Sequence, residues 1–306
     1  MSASLPTVSV LVGARDASRT VAACLAEAAA QAGALGGEVI AAVAGAHSPE
    51  ADAAGRAGVT CVVRPADALV PELWGAALEK GAAPVVVFTT ATCVPGPGWL
   101  SNLLAALDAN PWAAGAGGPI DGPEGGAPSD WAAYLVRYSA YIPPIPAGEV
   151  AEIPGDNAAY RRADLARCAS AVSKTMGDTG ISRTFWETLV HAELRALGRG
   201  LVAAPRAAVR LHAGTDTMAF LRARFRHGQH FGSTREDVSG LGRLARAAAA
   251  PVLVPVLLAR IFRRVAARQP RWRRHVLSSL PWLLAFLAAW SAGESLGYLR
   301  PGRTAP

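Results

Sequence analysis

Apolar and polar positions change period several times along this chain. Residues 8–15 (VSVLVGAR) are a short β-rich apolar run ended by Gly13, the pattern of a buried strand. Residues 20–31 carry Ala, Leu and Cys at helical spacing. EVIAAVAG (38–45), VTCVVRP (59–65) and PVVVFTT (84–90) are three further apolar runs of strand length, and a helix over about 71–80 leads into the last. Strands alternating with helices in this way predict a parallel, doubly wound α/β sheet. Ligands of such sheets bind beyond the carboxyl ends of the strands, so the loops after residues 12, 44 and 89 are site candidates.

The middle third follows another pattern. GAGGPIDGPEGG (115–126) is rich in Gly and Pro and reads as loop or sheet edge. An aromatic stretch holding Trp131, Tyr134, Tyr138 and Tyr141 runs into IPPIP (142–146). In IPGDNAAYRRADL (153–165) a turn precedes a helix opened near Asn157 or Arg162. FWETLVHAELRALGRG (185–200) is strongly helical up to Gly198 or Gly200, and LVAAPRAAVRLH (201–212) reads as a final strand with a basic end.

Beyond residue 213 the chain changes class. FLRARFRHGQHFG (220–232) is a basic amphipathic helix. Residues 247–259 are uncharged and include Pro251 and Pro255; an arginine-rich segment follows, and residues 276–293 are uncharged again up to Glu294. The first run is short for a membrane span and the second sits at the lower limit of about 18–20 residues. An interfacial or re-entrant helix pair fits both; two core helices of a soluble bundle are the other reading.

Charge sharpens this division. The net charge of +7 is the sum of −7 over residues 1–198 and +14 over 199–306, where 18 Arg face four acids and there is no Lys. Arg runs interleaved with long aliphatic segments suit an anionic lipid surface, not a nucleic-acid groove. An apolar fraction of 51% against 17% charged excludes disorder as the dominant state. Four Cys at irregular spacing (24, 61, 93, 168) form neither a disulfide framework nor a metal-ligand pair. Residues 1–7 lack the basic and long apolar regions of a secretory signal, so the expected location is membrane-associated with the α/β part on the cytoplasmic face.

Taken in order, VSVLVGARD, EVIAAVAG, PVVVFTTATCVPGPGWL (84–100), GGPI (117–120), PGDNAAYRR (154–162) and FWETLVHAELRALG (185–198) resemble the family-2 glycosyltransferases of GT-A fold, particularly the membrane-associated ones. The resemblance covers about residues 8–235. It implies a GT-A domain over 1–235, with a nucleotide-binding half (1–115) and an acceptor-side half (116–235), followed by a basic, hydrophobic, membrane-associating helical region over 236–306. The implied reaction is transfer of a sugar from a nucleotide-sugar to a lipid-linked, glycan or other membrane-proximal acceptor, with inversion.

The same resemblance implies the site. Glu187 falls where the family has its catalytic acid, with Trp186 in place of the companion acid, and His191 lies four residues on, on the same helix face. Gly155, Asp156 and Asn157 fall in the acceptor-side turn. Arg15, Asp16 and Asp67 fall in the nucleotide-binding loops, and Arg222, Arg224 and Arg226 in the basic stretch after the catalytic domain, as a diphosphate clamp or as lipid-headgroup contacts. Where the family carries an Asp-x-Asp motif for Mg2+ or Mn2+, this chain has Thr90, Ala91 and Thr92, and neutral hydroxyls are poor sole ligands for such a cation. Asp178, within 176–180, belongs to a Gly-rich flap or a solvated loop. Two functions follow from these departures: a transferase with an altered donor site, or a non-catalytic binding protein on the same scaffold.

Overall fold

The computed structural model describes residues 5–175, 184–214, 216–233 and 240–300, with side chains 169–175 left aside. Asp178 lies outside the described residues. The chain forms two compact units, Met1–Asp121 with Pro143–His212, and Gly122–Ile142 with Ala213–Pro306.

The first unit is α/β. Its first half alternates β1 (Val8–Ala14), α1 (Val21–Ala34), β2 (Glu38–Ala44), α2 (Pro49–Ala57), β3 (Thr60–Arg64), α3 (Val70–Lys80) and β4 (Val85–Thr90). Then come β5 (Cys93–Pro95), α4 (Trp99–Asp108), β6 (Ala113–Gly117) and β7 (Ile120–Asp121). After α5 (Pro128–Tyr138), which belongs to the second unit, the chain returns as β8 (Gly148–Val150), β9 (Asn157–Arg161), α6 (Arg162–Thr175), α7 (Glu187–Ala196), β10 (Gly200–Ala203) and β11 (Val209–Leu211). The main sheet has the order β3-β2-β1-β4-β9-β6-β10-β8, and a small sheet the order β5-β11-β7.

All seven residues of β1 are buried, as a central parallel strand covered on both faces requires. Register sets Gly13 of β1 beside Ala42 of β2 and Thr90 of β4, so these strands end together at the carboxyl edge. An aromatic core lies under that edge: Phe88 stacks on Phe185 at 4.1 Å, and Trp74 meets both edge-on. The backbone N–H of Phe185 donates to Pro71 O at 2.8 Å, tying the segment before α7 to the start of α3.

Two local expectations change. Of the helix starts expected near Asn157 or Arg162 the second holds, since α6 opens at Arg162; residues 157–161 are a strand pairing antiparallel with β4 on one side and β6 on the other. The two-sided pairing and burial of Ala158, Ala159 and Tyr160 outweigh the helical preference of Ala. Residues 201–212 are two strands in different sheets, because Pro205 cannot continue a ladder.

The second unit is helical: α5, α8 (Thr217–Ser233), α9 (Gly240–Ala249), α10 (Leu253–Arg268), α11 (Arg273–Ser278) and α12 (Leu280–Leu299). The expected boundary at 235 falls outside the described residues; within this unit α8 is locked to α12. Two G-x-x-x-G pairs face each other there, Gly228 with Gly232 on α8 and Gly293 with Gly297 on α12. A Cβ on Gly293 would stand 2.0 Å from Phe225 O, and one on Gly228 2.2 Å from Trp290 O. Only glycine permits backbones to approach so closely. Residues 247–259 belong to one helical stretch, Gly240–Arg268, whose most apolar window has mean hydropathy 1.7 and is 17% buried. By length and composition it is long enough to cross a membrane. Pro270–Ser278 and Leu280–Leu299 form a pair bent by 73°.

Candidate functional site

The carboxyl edge of the parallel strands gathers most of the sequence-predicted residues of the first unit. After β1 the chain turns through Asp16, whose φ of 53° lies in the left-handed region that Asp tolerates better than most residues. Arg15 holds this loop to the one after β3: its Nη1 donates to Asp67 O at 2.7 Å and Ala68 O at 2.6 Å, and its Nε to Asp16 Oδ2 at 3.1 Å. Asp67 therefore contributes its backbone carbonyl to Arg15, while the Asp16 carboxylate is largely exposed at 69%. Sequence reasoning missed Glu50. Buried in the first turn of α2, it accepts the Ala17 N–H at 2.7 Å and fixes the far side of the same loop. A Ser48 cap, Pro49 and two acids in the first turn, Glu50 and Asp52, were the available signals.

The loop after β4 is pinned by its backbone. Ala91 N–H donates to Gly13 O at 3.0 Å, the Thr20 hydroxyl to Ala91 O at 2.7 Å, and His212 N–H to Thr92 O at 3.2 Å. Thr90 and Thr92 then place their hydroxyl oxygens 3.1 Å apart, Thr90 buried and Thr92 half-buried. The same hydrogen bond sets exposed His212, which the sequence marked only as a strand end, next to this pair.

On the acceptor side, Glu187 opens α7, half-buried, in the first turn of the helix. Trp186, also half-buried, is the N-cap residue. The Glu187 carboxyl faces Gly155: a Cβ on Gly155 would lie 3.3 Å from Glu187 Cδ and 3.0 Å from two ring carbons of Trp74. Trp74, unmarked in the sequence, is buried, donates its indole N–H to Thr89 O at 2.8 Å, and also lies against Gly13. It is the wall joining the β1–β4 edge to the carboxylate.

Two residues of the expected site do other work. His191 is fully buried, with Nε2 at 2.7 Å from the Tyr160 hydroxyl and Nδ1 hydrogen-bonded to Glu152, whose other oxygen pairs with Arg195 at 3.0 Å. Both ring nitrogens are engaged, so His191 organises the body of α7 and orients neither Glu187 nor an acceptor. Burial of Glu152 opposes its ionisation, but the hydrogen bonds and charges of His191 and Arg195 outweigh it and hold the carboxyl below its ordinary range. Asn157 is equally committed. Its side-chain oxygen accepts from Trp99 Nε1 at 2.7 Å, and its amide donates to Pro119 O at 2.9 Å and Ala207 O at 2.7 Å. Asp156 beside it is buried.

Arg222, Arg224 and Arg226 lie on α8 of the second unit. Arg224 covers Trp290 with its guanidinium 4.3 Å from the ring centroid, and its Nε is buried without a hydrogen-bond partner among the described residues. Burial, and then the charge of Arg137, push its pKa down to about 9. Facing Trp290, Arg224 is not one arm of a clamp with Arg222 and Arg226, which are exposed.

Among solved structures the chain is similar to the mannosyltransferase PcManGT from Pyrobaculum calidifontis in complex with GDP-Man and Mn2+, at 15% identity and a TM-score of 0.54, over 95% of this chain and 87% of that one. The fold is GT-A. It is similar also to glucosyl-3-phosphoglycerate synthase from Mycobacterium tuberculosis in complex with Mn2+ and UDP-Glc, at 15% identity and a TM-score of 0.46, over 72% of this chain and 77% of that one. No protein-family model matches the sequence, and no curated protein matches it.

The GT-A frame makes the loop after β4 the place to test for a cation. Hard divalent ions take carboxylate, carbonyl and water oxygens. Here the side chains offer two neutral hydroxyls, and the described residues hold no group of three or more His, Cys, Asp or Glu placed to bind a metal. The donor set does not fit a resident Mg2+ or Mn2+.

Proposed function

We propose that this protein transfers a sugar from a nucleotide-sugar to the hydroxyl of a lipid-linked or membrane-proximal acceptor, with inversion, at the cytoplasmic face of a membrane. The observation that carries the reading is the meeting of Glu187, Gly155 and Trp74 on a GT-A fold, beside the carboxyl edge of β1 and β4 from which the loops at Asp16 and Thr90 leave. The nucleotide is assigned to the loops carrying Arg15, Asp16 and Asp67, and the diphosphate to the Thr90 and Thr92 hydroxyls and neighbouring backbone N–H groups. Glu187 takes the proton from the acceptor hydroxyl as its oxygen bonds to the anomeric carbon. The bond from that carbon to the diphosphate breaks on the opposite face, and the electron pair leaves with the diphosphate.

Membrane association is supported by the apolar, little-buried Gly240–Arg268 helix and the arginine-only basicity of the second unit. A soluble core helix of that composition would be mostly buried. Thr90 and Thr92 in place of carboxylates favour a second reading, a non-catalytic protein that binds a partner on the same scaffold.

Release of nucleoside diphosphate from GDP- and UDP-sugars, with detergent-extracted membrane lipids as acceptor, separates the two. Turnover by the wild type that Glu187→Gln lowers at least about a thousandfold, with nucleotide binding intact, supports the transferase. Unchanged turnover in Glu187→Gln removes Glu187 from the base role, and binding without turnover supports the second reading.

A further inference from the structure

On the second unit, α8 and α12 flank an open groove of about 330 Å3 lined by Leu221, Arg222, Phe225, Arg226 and Ala289. Its two rows come from helical spacing. Leu221 and Phe225 are four apart and so are Arg222 and Arg226, which gives an apolar row alongside a cationic one. Ala289 on α12 is small enough to leave the space between them open. Among the described residues, neither Arg222 nor Arg226 makes an ion pair or a hydrogen bond, and both are exposed. Two free guanidiniums one turn apart suit a single phosphate; the apolar row beside them suits methylenes, not a sugar or a base.

The rest of the unit narrows the occupant. It holds sixteen Arg, no Lys and six acids. Eleven of the sixteen most exposed large apolar side chains among the described residues belong to it, Leu241, Val252, Leu277 and Trp282 among them. Exposed apolar and cationic groups mixed on one helical unit match a bilayer surface carrying negative charge.

We propose that this groove binds an anionic bilayer phospholipid, with the phosphate between Arg222 and Arg226 and the first methylenes of a chain along Leu221, Phe225 and Ala289. The site rests on the membrane part of the function proposed above and takes these two arginines for the lipid, not for the donor diphosphate.

The test is co-sedimentation of the full-length protein with phosphatidylcholine vesicles, with and without phosphatidylglycerol. Wild type binds the anionic vesicles more tightly. General attraction costs R222Q/R226Q and the equally charged control pair R271Q/R273Q the same, roughly fivefold per arginine. The groove costs the first pair about a further tenfold. Ala289→Phe fills the groove with all charges kept and weakens binding about tenfold, at an unchanged melting temperature. If R222Q/R226Q behaves as its control does, the site is wrong and the membrane reading stands. If R222Q/R226Q loses GDP or UDP affinity while vesicle binding is intact, these arginines serve the donor. If wild type binds no vesicle, both the site and the membrane reading fall.

Discussion

Glu187 and Trp74 meet across a single missing methyl group. The Cβ that Gly155 lacks would stand 3.3 Å from the Glu187 carboxyl carbon and 3.0 Å from the Trp74 ring. These distances are tighter than ordinary contact, and Trp74 cannot yield freely because its indole N–H is held by Thr89 O. Gly155→Ala is therefore expected to move the carboxylate by a few tenths of an ångström. Misplacement on that scale lowers turnover about tenfold, while the melting temperature and nucleotide affinity stay close to wild type. A Gly155→Ala protein with wild-type kcat would show that Glu187 is not held against this glycine during the reaction.

The Glu152, His191 and Arg195 network gives a pH signature separate from catalysis. Glu152 is held below its unfolded value of 4.5. A carboxyl depressed in the fold contributes its stability fully above the unfolded pKa and loses it as pH falls through the folded one. Wild type is thus expected to melt above Glu152→Gln at neutral pH, with the gap closing below about pH 4.5. Because the carboxylate is 40% exposed, the gap is modest. Thermal melts of both proteins across pH 3–7 check this, and a gap that widens on acidification contradicts it.

The α8–α12 crossing predicts a sharp dependence on side-chain size. Gly293→Ala would put a methyl 2.0 Å from Phe225 O, so the helices must part. The expected loss is about 2 to 3 kcal/mol, the cost of overpacking, read as a lower midpoint in detergent or vesicle melts. Gly33→Ala in α1, where nothing lies within 4 Å of the new methyl, is expected to gain up to about 1 kcal/mol.

The alternating strands and helices of residues 8–90 were legible because continuous apolar runs bounded by Gly and Pro mark buried parallel strands, and β1, β2, β3, α3 and β4 fall within a few residues of their expected places. The strand at 157–161 was not: NAAYR has no alternation, and only pairing with β4 and β6 makes it a strand. That Glu187 stands at the start of a helix was legible from the helical run it opens; its role as base was implied by the resemblance alone. Trp74 and Glu50 were not, since a buried indole and a buried carboxylate acquire their roles from loops far away in sequence. His191 and Asn157 carried polar groups in the right segments, but spacing alone says nothing about which partners consume them. The reciprocal G-x-x-x-G pairs were visible as letters; their meaning needed the partner helix.

On the proposed function the β1–β4 edge binds a nucleotide diphosphate without a carboxylate-held metal, and the decisive experiment is calorimetric titration of the full-length protein with GDP and UDP, in Mn2+ and in EDTA. At least one nucleotide is expected to bind with the same affinity, within about twofold, in both conditions, because Thr90 and Thr92 give a cation no charged ligand. No binding of either nucleotide in either condition, or binding that EDTA abolishes, would contradict it.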